Sequence, residues 1–245
     1  MQPATSKAIL LIADISGFTQ FMRLHRMATS HAKQIVVRLL QSIISASAPP
    51  LTLAELEGDA AFFYALYPTA EELPQALAAV KAQLPEFFRS FYRALHQTCD
   101  LRLCVCEACT RVDDLRLKIV MHAGEVAIER IQTFENLFGL DVILVHRLLK
   151  NPLPAREYVL MTEEVYRELG GFQELQPERC RVNCEGIGRV ETLVFYPPAE
   201  LIGVAANRGA ARQPSFLQKL RWIVQLDWGF VRGVLAGNKQ KAPAH

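Results

Sequence analysis

The sequence predicts an α/β fold: an α+β sandwich whose mostly antiparallel sheet has helices packed on it, built around a ferredoxin-like βαββαβ core. Three observations predict it. A short apolar run opens the chain. A Gly-Asp turn soon divides two strand-like segments. Helical and strand periodicities then alternate in the order β-α-β-β-α-β-β-α-β-α-β-β.

Residues 8–15, AILLIADI, are apolar apart from Asp14 and read as a buried strand. Gly17 breaks the run and Thr19 suits a helix N-cap. From Phe18 to about Ala46 the positions Phe21, Leu24, Ala28, Ile35, Leu39 and Ile43 keep helical spacing, as one long helix or two in tandem. Pro49-Pro50 ends it. LTLAELE (51–57) and AAFFYALY (60–67) flank Gly58-Asp59 and read as a hairpin. Residues 70–97 return to helical periodicity and offer Leu77, Val80, Leu84, Phe87, Phe88, Phe91 and Leu95 to a core. A cysteine-bearing loop follows. LRLKIVMH (115–122) and EVAIERI (125–131) read as two strands separated by Ala123-Gly124, followed by a loop around Asn136. A helix near 140–150 closes at Asn151-Pro152, and 157–161 is strand-like. TEEVYREL (162–169) carries a Thr cap and two acids in its first turn, a helix signal. Residues 181–196 read as a last hairpin.

The 245 residues are 51% hydrophobic and 21% charged, which excludes a disordered or fibrous chain. No apolar run approaches the ~18–20 residues of a membrane span. The opening MQPATSKAILLIADISG lacks a signal-peptide cleavage pattern, so a cytoplasmic location is expected. The net charge of +2 hides an asymmetry: Arg208, Arg212, Lys219, Arg221, Arg232, Lys239 and Lys241 face a single acid, Asp227, beyond residue 200. The expected organisation is a body over 1–200, a linker over 201–214 and a basic amphipathic tail over 215–245. Trp222 and Trp228 beside basic residues suit peripheral contact with an anionic membrane, and equally packing on a protein. A purely solvated tail is the plain alternative. No nucleic-acid partner is expected.

The chain lacks a GxxxxGK[ST] phosphate loop, a GxGxxG turn, a GxSxG elbow and an HExxH motif. Two carboxylates stand out instead. Asp14 ends the first strand and Asp59 sits at the first hairpin turn. In a βαββ unit that strand lies beside that hairpin, so the two acids can converge. Paired carboxylates suit Mg²⁺ or Mn²⁺, with a nucleoside triphosphate or polyphosphate completing the oxygen shell and backbone N–H groups at 16–19 taking phosphate oxygens. The alternative reading makes Asp14 a helix cap and Asp59 a turn residue. His122 and His146 can line the same cleft, although single histidines are more often satisfied core or surface residues.

Several segments carry a resemblance. IADISGFT (12–19) resembles the "DI-x-GFT" turn of class III adenylate and guanylate cyclases, which holds their first metal Asp. LEGDAAFFYA resembles the hairpin that holds the second. LRLKIVMHAGEV and FGLDVILVHRLL resemble their strand pair and their "G-x-x-V-N-x-A-x-R" helix. The resemblance runs over roughly 8–196 and implies the class III nucleotide cyclase fold. CVCEACTRVDDLRLKIVMHAGEV and LFGLDVILVHRLLKN are also similar to a bacterial family of uncharacterised cyclase-like proteins, a domain of unknown function.

By that resemblance Asp14 and Asp59 match the metal carboxylates, Gly17, Phe18 and Thr19 the phosphate turn, and Arg147 the arginine that stabilises charge at the reacting phosphate. Two matches fail. The Asn expected four residues before Arg147 is Ile143, and the phosphate-gripping Lys before Gly186 is Glu185. Glu55 and Asn136 fall at the base-reading positions and imply guanine over adenine. By strand alternation Glu55, Glu57 and Asp59 share one face. Losing one positioned donor and one phosphate-binding cation costs on the order of 10²–10³ in rate for each. The family's head-to-tail dimers imply a homodimer, with Asp14 and Asp59 from one chain and Arg147 from the other.

Cys104, Cys106 and Cys109 form a CxCxxC loop that suits Zn²⁺, with Cys99, Cys180, Cys184 or His122 as fourth ligand; reduced thiols are the alternative. The leading expectation is a cyclase-like protein that binds a divalent metal and a nucleotide, with cyclase activity weak or lost. An active guanylate-type or noncanonical nucleotidyl cyclase and a non-enzymatic interaction module are the alternatives.

Overall fold

The computed structural model describes residues 5–23, 29–101, 111–132, 134–169 and 175–198. Cys104, Cys106 and Cys109, the linker 201–214 and the tail 215–245 lie outside the described residues. The elements are β1 (Thr5–Ser16), α1 (Phe18–Arg23), α2 (Thr29–Ala46), β2 (Thr52–Glu57), β3 (Ala60–Leu66), α3 (Leu73–Leu101), β4 (Arg116–Ile131), β5 (Phe134–Phe138), α4 (Leu140–Leu149), β6 (Tyr158–Thr162), α5 (Glu163–Leu169), β7 (Glu178–Cys184) and β8 (Gly188–Phe195). Among the described residues no helix is long and apolar enough to cross a membrane.

One sheet takes the order β2-β3-β1-β4-β6-β8-β7, with β5 paired to β4. β4 and β6 run parallel, and the other pairs are antiparallel. β1 through β4 with their intervening helices make the βαββαβ core, in the spatial order β2-β3-β1-β4. β1 is buried continuously from Ala8 to Ser16, because helices cover both faces of the sheet. On one face Ile9, Leu11, Ala13 and Ile15 pack with the inner stripes of α2, α3 and α5, including Phe87, Phe88 and Phe91. On the other, Ala8, Leu10, Ile12, Phe62, Val120 and Leu160 pack beneath Leu144, Val145 and Leu148 of α4.

Two expectations are corrected. Ala123-Gly124 does not divide two strands: β4 runs unbroken through it, with Ala123 opposite Ile9 and Gly124 opposite Ala8. Gly124 serves a close approach instead. A Cβ there would lie 2.2 Å from the Asp141 carboxyl group. Asn136 sits on a strand, not in a loop, since β5 pairs with the far end of β4 and places Asn136 opposite Glu129.

Candidate functional site

The register aligns one polar row across the sheet. Glu57 of β2 lies opposite Ala60 of β3, Ala60 opposite Asp14 of β1, Asp14 opposite Lys118 of β4, and Lys118 opposite Tyr158 of β6. Paired residues project to the same face, here the face that carries α4. Two residues along, the row Glu55, Phe62, Ile12, Val120 and Leu160 is apolar except at its β2 end. The polar row thus marks where the core gives way to an open cleft of about 390 Å³. Asp14, Asp59, Lys118, the 15–20 turn and the 149–158 loop line it.

Asp14 is 8% exposed. Burial raises its carboxyl pKa, Lys118 opposes that rise, and the charge of Glu57 adds to it. Lys118 Nζ lies 3.0 Å from Asp14 Oδ2 and donates to Leu149 O at 3.5 Å. Asp59 stands in the β2–β3 turn, and its carbonyl accepts from Ile15 N at 3.1 Å. Burial first, then the Asp14 charge, raise its carboxyl to about 6. The two acids therefore converge closely enough to repel, as the topology predicts. Gly17 turns the chain at φ 91°, a conformation that suits glycine, and Gly17, Phe18 and Thr19 all line the cleft.

Arg147, Glu55 and Asn136 do not line this cleft. Glu55 is exposed on β2, and Arg147 Nη1 donates to Glu185 Oε2 at 2.9 Å. The arginine thus faces the very residue that replaces the expected lysine. Ile143, one turn earlier on α4, is 51% exposed. Leu140 and Phe138 beside it in sequence are also exposed.

Neither histidine lines the cleft. His146 places Nε2 2.6 Å from Glu57 Oε1 and Nδ1 2.7 Å from Val142 O. Both ring nitrogens thus lie within hydrogen-bond distance of an oxygen. His122, expected at a strand end, is buried inside β4. Its Nδ1 lies 3.1 Å from Thr162 Oγ1 and its Nε2 3.0 Å from Asp141 Oδ1. Both ring nitrogens are engaged there. Asp141 also accepts from Glu125 N at 2.6 Å, which clamps the start of α4 onto β4. Cys99 donates to Asp113 Oδ1, and Cys180 and Cys184 lie on β7.

Sequence reasoning missed Lys118 and Arg156. Lys118 had a signal: it is the charge within a second buried run, KIVMHA, matching Asp14 in the first. Arg156 had none. It belongs to a loop whose path becomes visible only once α4 and β6 are placed.

Residues 36–158 match the family described as "Protein of unknown function (DUF2652)". A relative from Mycobacterium tuberculosis, "Uncharacterized protein Rv2561/Rv2562", is 37% identical over 157 residues, covering 64% of this chain and 71% of its own length. The chain belongs to the DUF2652 family. Its solved structural neighbours include adenylyl and guanylyl cyclases. The adenylyl cyclase CyaB from P. aeruginosa superposes with a TM-score of 0.63 at 14% identity, covering 81% of this chain and 97% of that one. The guanylyl cyclase Cya2 gives 0.54 at 16% identity, covering 80% and 94%. A class III adenylyl cyclase-like ATP-binding protein from Pseudomonas aeruginosa gives 0.54 at 17% identity, covering 67% of this chain and 35% of that one. At these identities the likeness establishes the fold: this DUF2652 protein has the class III cyclase architecture.

Proposed function

We propose that this protein binds a divalent metal ion, Mg²⁺ or Mn²⁺, together with a nucleoside triphosphate or polyphosphate, and that cyclase turnover is weak or lost. The observation that carries the binding is the convergence of Asp14 and Asp59 at one open cleft, where each carboxyl pKa is raised. Burial and the Asp14 charge both disfavour the ionised Asp59, and a cation between these two hard oxygen donors would offset that. The donor set fits such an ion only in part. Among the described residues no group of three or more His, Cys, Asp or Glu side chains could hold a metal. Phosphate oxygens would therefore complete the shell, which couples metal to ligand. A bound metal would supply charge neutralisation at the phosphates and the carboxylates.

The chain's own residues divide the remaining work. Lys118 draws one oxygen of Asp14 and presents its charge to the cleft, which the 16–19 turn also lines. Ile143 cannot donate a hydrogen bond, and Glu185 carries the wrong charge for a triphosphate. Those two positions are the reason for weak or absent turnover. The homodimer, in which Arg147 of one chain meets Asp14 and Asp59 of another, belongs to the same reading. Glu55 on the edge strand β2 and Asn136 on β5 would read the base from across that interface, with a preference for guanine. A Zn²⁺ at Cys104, Cys106 and Cys109 and an anionic-membrane or protein contact through 215–245 stay as proposals from the sequence.

The test is equilibrium binding of ATP, GTP, CTP and UTP with Mg²⁺ or Mn²⁺, with the same samples assayed for cyclic product. Metal-dependent binding without product is the expected result. Rapid formation of cyclic product would overturn the claim of weak turnover, and absence of binding would overturn the whole reading.

A further inference from the structure

We infer that Arg156 is the phosphate-gripping cation of this cleft, supplying within one chain the positive charge of the lysine that the resemblance expects at Glu185. The inference rests on the nucleotide or polyphosphate reading above and names a residue which that reading lacks. The Arg156 guanidinium reaches across the cleft mouth to the 16–20 turn: a Cβ built at Gly17 would lie 3.5 Å from Arg156 Nη2. Its side-chain bond is to a neutral acceptor, with Nη2 donating to Gln20 Oε1 at 3.2 Å. Among the described residues no carboxylate pairs with it, in contrast to Lys118 and Arg147. A guanidinium tethered only by an amide oxygen retains donors for an anion at little cost, because no ion pair must first be broken.

The loop that presents Arg156 is built to hold its place. Asn151 Nδ2 donates to Leu148 O and to Tyr158 Oη, both at 2.8 Å. Asn151 Oδ1 accepts from Leu153 N at 3.2 Å. Pro152 and Pro154 restrict the intervening backbone. The loop is thereby fixed to the end of α4, to β6 and to itself, and Arg156 leaves it facing Gly17 and Gln20. The charge balance of the cleft agrees. Asp14 and Asp59 are offset by Lys118 and Arg156, so a bound divalent ion would turn the cleft positive and suit a polyanion. Without Arg156 the cleft with its metal would hold one positive charge less against several negative ones. A guanidinium fork also matches phosphate oxygens in pairs, which an ammonium does not.

Arg156→Ala and Arg156→Lys are to be compared with the unaltered chain for binding of Mn²⁺ alone, Mn²⁺ with GTP, and Mn²⁺ with tripolyphosphate. Arg156→Ala is expected to raise the Kd for GTP and for tripolyphosphate about 10–100-fold, the range for charge-assisted hydrogen bonds to phosphate. Arg156→Lys should recover part of the loss. Binding of Mn²⁺ alone should stay within about twofold, which reports an intact carboxylate pair and an intact fold. Undiminished GTP and tripolyphosphate affinity in Arg156→Ala would overturn this inference and leave the nucleotide reading standing. Failure of the unaltered chain to bind either ligand would overturn both.

Discussion

Replacing Asp59 by asparagine should stabilise the metal-free protein at pH 7.5 and leave its stability at pH 4 unchanged. Burial and the Asp14 charge raise the Asp59 carboxyl from 3.8 to about 6 in the folded chain. A carboxyl with a raised folded pKa favours folding while it is protonated. That contribution is complete below pH ~4 and is lost as the pH rises through about 6. At pH 7.5 the ionised group therefore opposes folding. A tenfold change in proton affinity between the unfolded and folded chain corresponds to about 1.4 kcal/mol. The group is partly open to solvent, which screens its charge, so about 1–2 kcal/mol is the appropriate scale. Asparagine keeps the shape and removes the charge. For a body of roughly 200 residues this raises the thermal midpoint by about 2–8 °C. Thermal denaturation followed by circular dichroism at pH 4 and 7.5, with and without Mn²⁺, reads the effect. Mn²⁺ should stabilise the unaltered protein at pH 7.5 and should not stabilise Asp59→Asn. An unchanged or lower midpoint for Asp59→Asn in metal-free buffer at pH 7.5 would refute the repulsion on which the metal argument stands.

Asp14→Ala should abolish metal-dependent nucleotide binding, read by calorimetric titration; undiminished affinity would count against the cleft as the site. Glu185→Lys breaks a pair whose side chains are 38% and 83% exposed, so it should cost no more than about 1 kcal/mol of stability. The same change should tighten triphosphate binding, and a weaker affinity in the titration would contradict the assigned repulsion. Gly124→Ala places a methyl group 2.2 Å from the Asp141 carboxyl and should cost about 1–3 kcal/mol. Chemical denaturation would show it as a lower midpoint with an unchanged slope.

Where local pattern and tertiary role coincide, the fold was legible. AILLIADI reads as a buried strand and is one, and Gly58-Asp59 reads as a hairpin turn and joins β2 to β3. Asp14 and Asp59 followed, because a βαββ order brings that strand and that turn together. The misreadings share one cause. Ala123-Gly124 looks like a turn locally, but its glycine answers to a carboxylate on a helix whose start lies some 16 residues further on. His122 stands at a strand end only if Ala123-Gly124 is a turn, and in the continuous β4 it belongs to the core. Nothing local in FENLF marks a strand around Asn136, whose strand character comes from pairing with β4. Lys118 required knowing which strands are neighbours, and Arg156 required the course of a whole loop.

Besides His122–Asp141, the α4 face carries the pairs Lys118–Asp14, His146–Glu57 and Arg147–Glu185, and the depth of these last three sorts their roles. Lys118–Asp14 has side chains only 19% and 11% exposed, so removing either partner would leave a poorly solvated charge. This pair is a fixed part of the cleft, and a ligand must be bound with it in place. His146–Glu57 is intermediate, at 30% and 33%, and its ring stacks edge-on against Phe62 at 5.0 Å, so it ties α4 to the first hairpin. Arg147–Glu185 is the most exposed, and an exposed pair is worth well under the energy of a guanidinium on a phosphate. Glu185 therefore cannot hold Arg147 against a polyanion that reaches it. Its effect is on the approach of that polyanion, through repulsion at the position where a lysine would attract. Under the proposed function the cleft beside β1 and β4 would bind the ligand, while Ile143 of α4 and Glu185 of the β7–β8 turn would limit turnover. Variants on the sheet should then change affinity, and variants on these two elements should change rate.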